Sequence, residues 1–196
     1  MVPALTQDGG SSYTCFDKIY GGLTVHNDLS REELLALITA YTKSWLAHDG
    51  CWFLSVEADK GLEEAIHFDE EAWRRFAPVE AWRVMEARGI EPGGGLPALA
   101  EALSYRMYRF INEQKLELTE DKLVFTMTRC RVQATRRRKG LPDFPCKSVG
   151  KIEFTEFAKA VDERIETRCL GCPPDDQPDD RFCSWEFKLR KDETDD

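Results

Sequence analysis

The stretch IETRCLGCPPDDQPDDRFCSWEFKL, residues 165–189, decides how this chain is read. Ile165 to Arg168 and Phe182 to Leu189 alternate apolar and polar side chains at strand spacing, and the polar loop Pro173 to Pro178 lies between them. Cys169 and Cys172 close the first strand, and Cys183 opens the second. With Cys146 upstream, the four cysteines read C-x22-C-x2-C-x10-C. That spacing suits one tetrahedral metal ion, because a single turn supplies two thiolates and separate elements supply the others.

Four soft donors favour zinc, with an iron–sulfur cluster the lesser alternative. Lys147, Arg168 and Arg181 each sit beside one of these cysteines and would offset the thiolate charge. The set leaves no obvious open position, so the metal's expected role is structural. The plainer alternative is four buried thiols packed as small hydrophobes. A redox role for Cys169 and Cys172 is disfavoured: thioredoxin-like pairs precede a helix, whereas Pro173-Pro174 and an acidic loop follow here.

Upstream of Cys146 the pattern is mixed. Lys115 to Thr119 and Lys122 to Thr128 alternate around Glu120-Asp121 and predict a β-hairpin. Cys130 to Lys139 and Ser148 to about Glu163 have helical spacing. Before residue 113 only helices are expected. Ser30 and Glu33 form a capping box that starts one, with Leu34, Leu35, Ile38, Tyr41, Trp45 and Leu46 as its buried stripe and Asp49-Gly50 as its end. A second helix carries Trp52, Phe53, Val56 and Glu57, and a short piece spans Leu62 to His67. The next runs from Glu70 to about Arg88, capped by Asp69, with Trp73, Phe76, Ala77, Val79, Trp82 and Met85 inward, Pro78 kinking or breaking it, and Gly89 ending it. After Pro92-Gly93-Gly94-Gly95, a last helix spans Leu96 to about Asn112, with Leu99, Leu103, Met107 and Phe110 as its stripe.

The expected architecture is therefore α+β, a helical N-terminal half (29–112) packed on a small antiparallel sheet of hairpin-helix-helix-hairpin order (113–190). Residues 1–28 read as a loose arm and 191–196 as a disordered acidic tail. This arrangement, with Cys146, Cys169, Cys172 and Cys183, resembles the four-vinyl-reductase domain, a fold shared with TRAPP trafficking subunits and with aromatic-sensing domains of bacterial activators. The resemblance implies that these four residues hold zinc. In the sensor members a carboxylate or cysteine stands where Cys169 falls, and the loop before the last ligand is shorter. Arg138-Lys139-Gly140-Leu141, Asp143-Phe144-Pro145-Cys146-Lys147, Cys172-Pro173-Pro174-Asp175 and Cys183-Ser184-Trp185-Glu186-Phe187 are similar to a bacterial family of uncharacterised "cytosolic proteins". That family is in turn distantly similar to the L-2-amino-thiazoline-4-carboxylate hydrolases.

Composition narrows the function further. A net charge of −9 argues against a nucleic-acid partner, and no apolar run has the length of a membrane span. Seven cysteines with no secretory signal in view suggest reduced thiols and a cytoplasmic protein. A sensor-like fold implies a small-molecule ligand between the helices and the sheet, apolar or aromatic in kind. Trp52, Glu57, His67, Trp82, Tyr105 and Phe125 are the candidate ligand contacts, although each aromatic could equally be core and Glu57 solvated. A hydrolase is the alternative, with His67 and Cys51 as its conceivable pair, and whether two copies form a homodimer is left open. The basic run Arg129, Arg131, Arg136, Arg137, Arg138 and Lys139 reads as a solvated helix face with its charges at the helix C-terminus. Cys130 is a fifth thiol near the four, either spare or an alternative ligand.

Overall fold

The computed structural model describes residues 29–190, so the expected arm and tail lie outside the described residues. The backbone divides into two compact units, residues 1–38 and 39–196, and the sheet, core and cavity below belong to the second. The boundary falls inside the first helix.

Helix α1 spans Arg31–Lys60 and begins at the expected capping box: Glu33 Oε2 accepts the Ser30 amide at 2.8 Å and Ser30 Oγ accepts the Glu33 amide at 3.2 Å. It does not end at Asp49-Gly50. Leu46 before the glycine and Phe53 and Leu54 after it turn to the same interior cavity, and that burial outweighs the cost of about 1 kcal/mol for a helical glycine. Leu34, Leu35, Ile38 and Tyr41 are exposed, so the inward stripe is shorter than the spacing suggests.

Helix α2 (Leu62–Arg88) runs unbroken through Pro78 and stops at Gly89, whose left-handed backbone lets Ile90 N–H reach the Met85 carbonyl at 2.9 Å. Its buried face is Trp73, Ala77, Glu80, Ala81 and Met85, while Val79 and Trp82 are exposed. The last expected helix is shorter, α3 (Gly95–Ser104), followed by a 3-10 turn at Met107–Phe110.

The remaining elements follow the expected order: β1 (Glu113–Leu118), β2 (Leu123–Arg129), α4 (Arg131–Arg138), α5 (Lys147–Val161), β3 (Ile165–Gly171) and β4 (Cys183–Leu189). All pairings are antiparallel and the strand order is β1-β2-β4-β3, which makes the chain an α+β protein. Phe125 of β2 lies opposite Trp185 of β4, and Thr167 of β3 opposite Phe187. Helix α5 packs on α2 and β3, and Phe154 at its centre meets Phe125, Trp185 and Phe187 with centroids 5.0, 5.0 and 6.2 Å away. Each such fully buried aromatic contributes about 2–3 kcal/mol. Gly150 makes the approach possible, since a Cβ there would stand 2.8 Å from the Trp185 ring.

Candidate functional site

Between α1, α2, α4, α5 and the inner face of the sheet lies a partly enclosed cavity of about 370 Å³. Its wall is mainly apolar, with Leu46, Phe53, Phe125, Met127, Val149 and Phe154 among its residues. Two of its regions carry chemistry: a carboxylate-rich polar region and a thiol region.

The polar region is organised by Arg106, which follows α3 and is only 3% exposed. Its Nε and Nη2 donate to Glu80 Oε2 at 2.9 and 2.6 Å, and Nη2 also lies 2.8 Å from Glu153 Oε1. The rings of Trp73, Tyr108, Phe154 and Phe157 surround the guanidinium, 4.7 to 5.7 Å from its carbon. In so little water these carboxylates act strongly on their neighbours. Burial raises the Glu153 carboxyl above its usual range despite the offsetting Arg106. Asp69 and Asp49 border the same cavity, and burial raises both. Asp69 reaches about 7, with Asp49 and Glu153 adding repulsion and a hydrogen bond from Trp73 working the other way.

The sign of this shift sets a pH dependence. The folded chain keeps the Asp69 proton up to about pH 7, whereas the unfolded chain releases it near 3.8. Between those values the folded state binds more protons, so stability falls as pH rises through the window and levels off above it. Asp69→Asn should therefore raise Tm at pH 8 by roughly 2–8 °C, for a relief of about 1–2 kcal/mol, and leave it unchanged at pH 3.5. Calorimetry at the two pH values checks this, and an equal effect at both would rule out ionisation as the cause.

The thiol region comes from four elements. Cys130 immediately precedes α4, Cys146 immediately precedes α5, Cys172 follows β3 and Cys183 opens β4. All four border the cavity. Cys146 and Cys172 sulfurs are 3.5 Å apart, and Cys172 also interacts by hydrogen bonding with Cys183. The bond from Cys172 holds the Cys146 thiol below its usual range and correspondingly raises that of Cys172. Burial pushes Cys130 up to about 12. The Cys172 loop is fixed to the start of α5: the Lys147 amide donates to the Pro173 carbonyl at 2.9 Å, and Lys147 Nζ holds both Asp175 oxygens at 3.0 and 2.8 Å.

Cys169 stands apart from that wall. It is half-buried on β3 opposite Trp185, before a bulge that shifts the register at Gly171. Among the described residues no group of three or more His, Cys, Asp or Glu side chains is arranged to hold a metal. What is present is the 3.5 Å Cys146–Cys172 contact, a hydrogen bond between two thiols.

Of the expected ligand contacts, Phe125 borders the cavity. Trp52, Trp82 and Tyr105 do not: they are 66%, 52% and 45% exposed, and Tyr105 carries the Arg88 guanidinium 4.2 Å from its ring centre. Their helices turn smaller residues such as Phe53 and Ala81 inward instead. Glu57 lies outside the cavity wall but forms a two-point ion pair with Arg136, at 2.9 and 3.1 Å, and Arg136 is part of that wall. His67 is exposed against Phe68, Cys51 is exposed, and no hydrogen bond joins the two among the described residues. Arg106, Glu80, Glu153, Asp49, Asp69 and Gln133 were missed. The available signal was their phase, since Glu80 falls within the stripe Trp73-Ala77-Ala81 and Arg106 continues Leu99-Leu103.

The fold and cavity thus define a small α+β domain with a thiol cluster against an apolar chamber. Residues 27–189 match the profile of DUF6125, a family of unknown function, and the chain belongs to that family. No curated protein and no solved structure matches the chain.

Proposed function

We propose that this protein is a cytoplasmic, zinc-stabilised domain of the sensor or binding type that encloses a small apolar or aromatic molecule. The observation that carries the reading is the cavity. At about 370 Å³ it falls within the ~300–1,000 Å³ of small-molecule sites, and its apolar wall with a few convergent polar groups has their usual composition. The four-stranded antiparallel sheet with two intervening helices supports the likeness to four-vinyl-reductase domains. No described helix is long and apolar enough to cross a membrane.

The thiols suit zinc by their softness and by the Cys146–Cys172 spacing, with Cys183 next to Cys172. Zinc bound there would tie the Cys172 loop, the start of β4 and the start of α5 together. Its contribution would be to folding, because metal binding to a site absent from the unfolded chain adds directly to stability.

The test is binding of small aromatics such as indole and 2-naphthol, read by tryptophan fluorescence, since Trp73 and Trp185 both border the cavity. Saturable binding to the wild type is expected, together with at least a tenfold loss in Met127→Trp, whose larger ring occupies the chamber. Equal binding by a folded Met127→Trp, or no binding by the wild type, would overturn the reading. The purified protein should also be colourless and hold zinc, whereas a brown protein would indicate an iron–sulfur cluster.

A further inference from the structure

We infer that the molecule enclosed by this domain is an organic monoanion, a carboxylate on an apolar or aromatic body, and that Arg131, Arg138 and Lys139 receive its charged end. The inference rests on the cavity reading above and names the class of its ligand.

The basic run around α4 carries it. Three of its six members have carboxylate partners: Arg129 lies 3.2 Å from Glu113, Arg136 2.9 Å from Glu57 and Arg137 2.7 Å from Asp143. The other three, Arg131, Arg138 and Lys139, form no ion pair or side-chain hydrogen bond among the described residues, and all three border the cavity. Helical spacing accounts for this sorting. Arg131, Thr135 and Arg138 fall at i, i+4 and i+7 on one face of α4, Lys139 follows as its C-cap, and all four are part of the wall. Arg137 is turned elsewhere, toward Asp143, and is not part of it.

Charge balance points the same way. The chain carries a net charge of −9, yet the cavity wall holds six Lys or Arg against three Asp or Glu. Arg106 is committed to Glu80 and Glu153, and Arg136 to Glu57. The cations left over are the three of α4 and Lys43 of α1, which also lacks a partner among the described residues. A cleft with apolar walls and an excess of one sign concentrates ions of the other. Guanidinium groups match a carboxylate in shape, and a single charge costs less to bring against an apolar wall than two.

Asp49 and Asp69 would attract a cation instead, but they belong to the other polar region. The charged groups that act most on them are His48 for Asp49, and Asp49, Glu153 and Glu70 for Asp69, none of them on α4. Burial also favours the neutral form of both.

The experiment compares three ligands with one aromatic body, using titration calorimetry on the full chain. At about pH 7, 2-naphthoate is an anion, 2-naphthol is neutral and 2-(aminomethyl)naphthalene is a cation. The wild type should bind naphthoate about tenfold more tightly than naphthol, with a preference that weakens as salt is added. In the triple variant Arg131→Gln, Arg138→Gln, Lys139→Gln the ratio of the two affinities should fall close to one, a readout that partial unfolding does not move. Arg137→Gln makes the same charge change on the same helix away from the wall, and should keep the wild-type ratio. Naphthoate bound no more tightly than naphthol, tightest binding of the amine, or a preference that survives in the triple variant would overturn the inference. Failure of all three ligands to bind the wild type would instead overturn the enclosed-ligand reading on which it rests.

Discussion

Replacing Arg106 with methionine lowers stability by about 3–5 kcal/mol, one of the two largest losses expected from a single substitution in this domain. The side chain is 3% exposed and its guanidinium compensates two carboxylates, Glu80 and Glu153, that have little access to water. Removing it leaves two negative charges facing one another in an apolar surround. They respond by taking up protons, which makes the variant's stability fall more steeply with rising pH than the wild type's. Restoring neutrality at the same time, as in Arg106→Met with Glu80→Gln and Glu153→Gln, should recover most of the loss. Denaturant unfolding of the single and triple variants decides it. A triple variant as unstable as the single one would mean that ring packing around the guanidinium, rather than charge compensation, is what matters.

If the thiol cluster holds zinc as proposed, Cys172→Ser is expected to lower Tm by roughly 8–16 °C, corresponding to about 4 kcal/mol, and to abolish zinc binding. Cys172 is 1% exposed and touches Cys146, so it occupies the centre of the thiol cluster. A serine oxygen is a poor substitute for a soft thiolate. A small Tm change with full metal content would show that the sulfur is only a packed hydrophobe. Addition of a strong chelator to the wild type should reproduce the same Tm loss without any substitution. It should add little to the loss already present in the variant, and this non-additivity separates metal loss from a cavity defect.

The C-terminal half was legible because its signals are short-range. Alternation with period two gave both strand pairs, and Gly140 with Pro142 marked the end of α4. The helical half was legible in type and not in phase. Large aromatics dominate a stripe drawn from sequence, so Val79 and Trp82 were placed inward in α2. The structure buries Ala77, Ala81 and Glu80 there because close packing against α5 favours small side chains and because Glu80 has Arg106 to meet. Gly50 failed as a helix end for a related reason: tertiary burial on both sides of it outweighs local propensity.

The candidate site divides in the same way. Cysteine spacing pointed to Cys146, Cys172 and Cys183, which border the cavity, but not to the fact that Cys130 borders it too while Cys169 does not, since the β3 bulge and the start of α4 are set by pairing between distant segments. The charges around Arg106 lie on α2, on the segment after α3 and on α5, and nothing local links them. Only the coincidence of three charged residues, each on the apolar side of its own segment, hinted at mutual compensation.

The strand order β1-β2-β4-β3 bears on how the chain reaches this state. The short turn through residues 119–122 closes β1 on β2 locally, while the central seam joins Phe125 to Trp185, about 60 residues apart. Loop-closure entropy delays that seam, so folding should be slowed at the step that docks β4 onto β2. Until then β2 exposes Leu123, Phe125 and Met127 along an unpaired backbone edge, the kind of surface that recruits a second unfinished chain. A nascent chain that still lacks β4 would leave this edge open, and the pairing of β4 with β2 closes it.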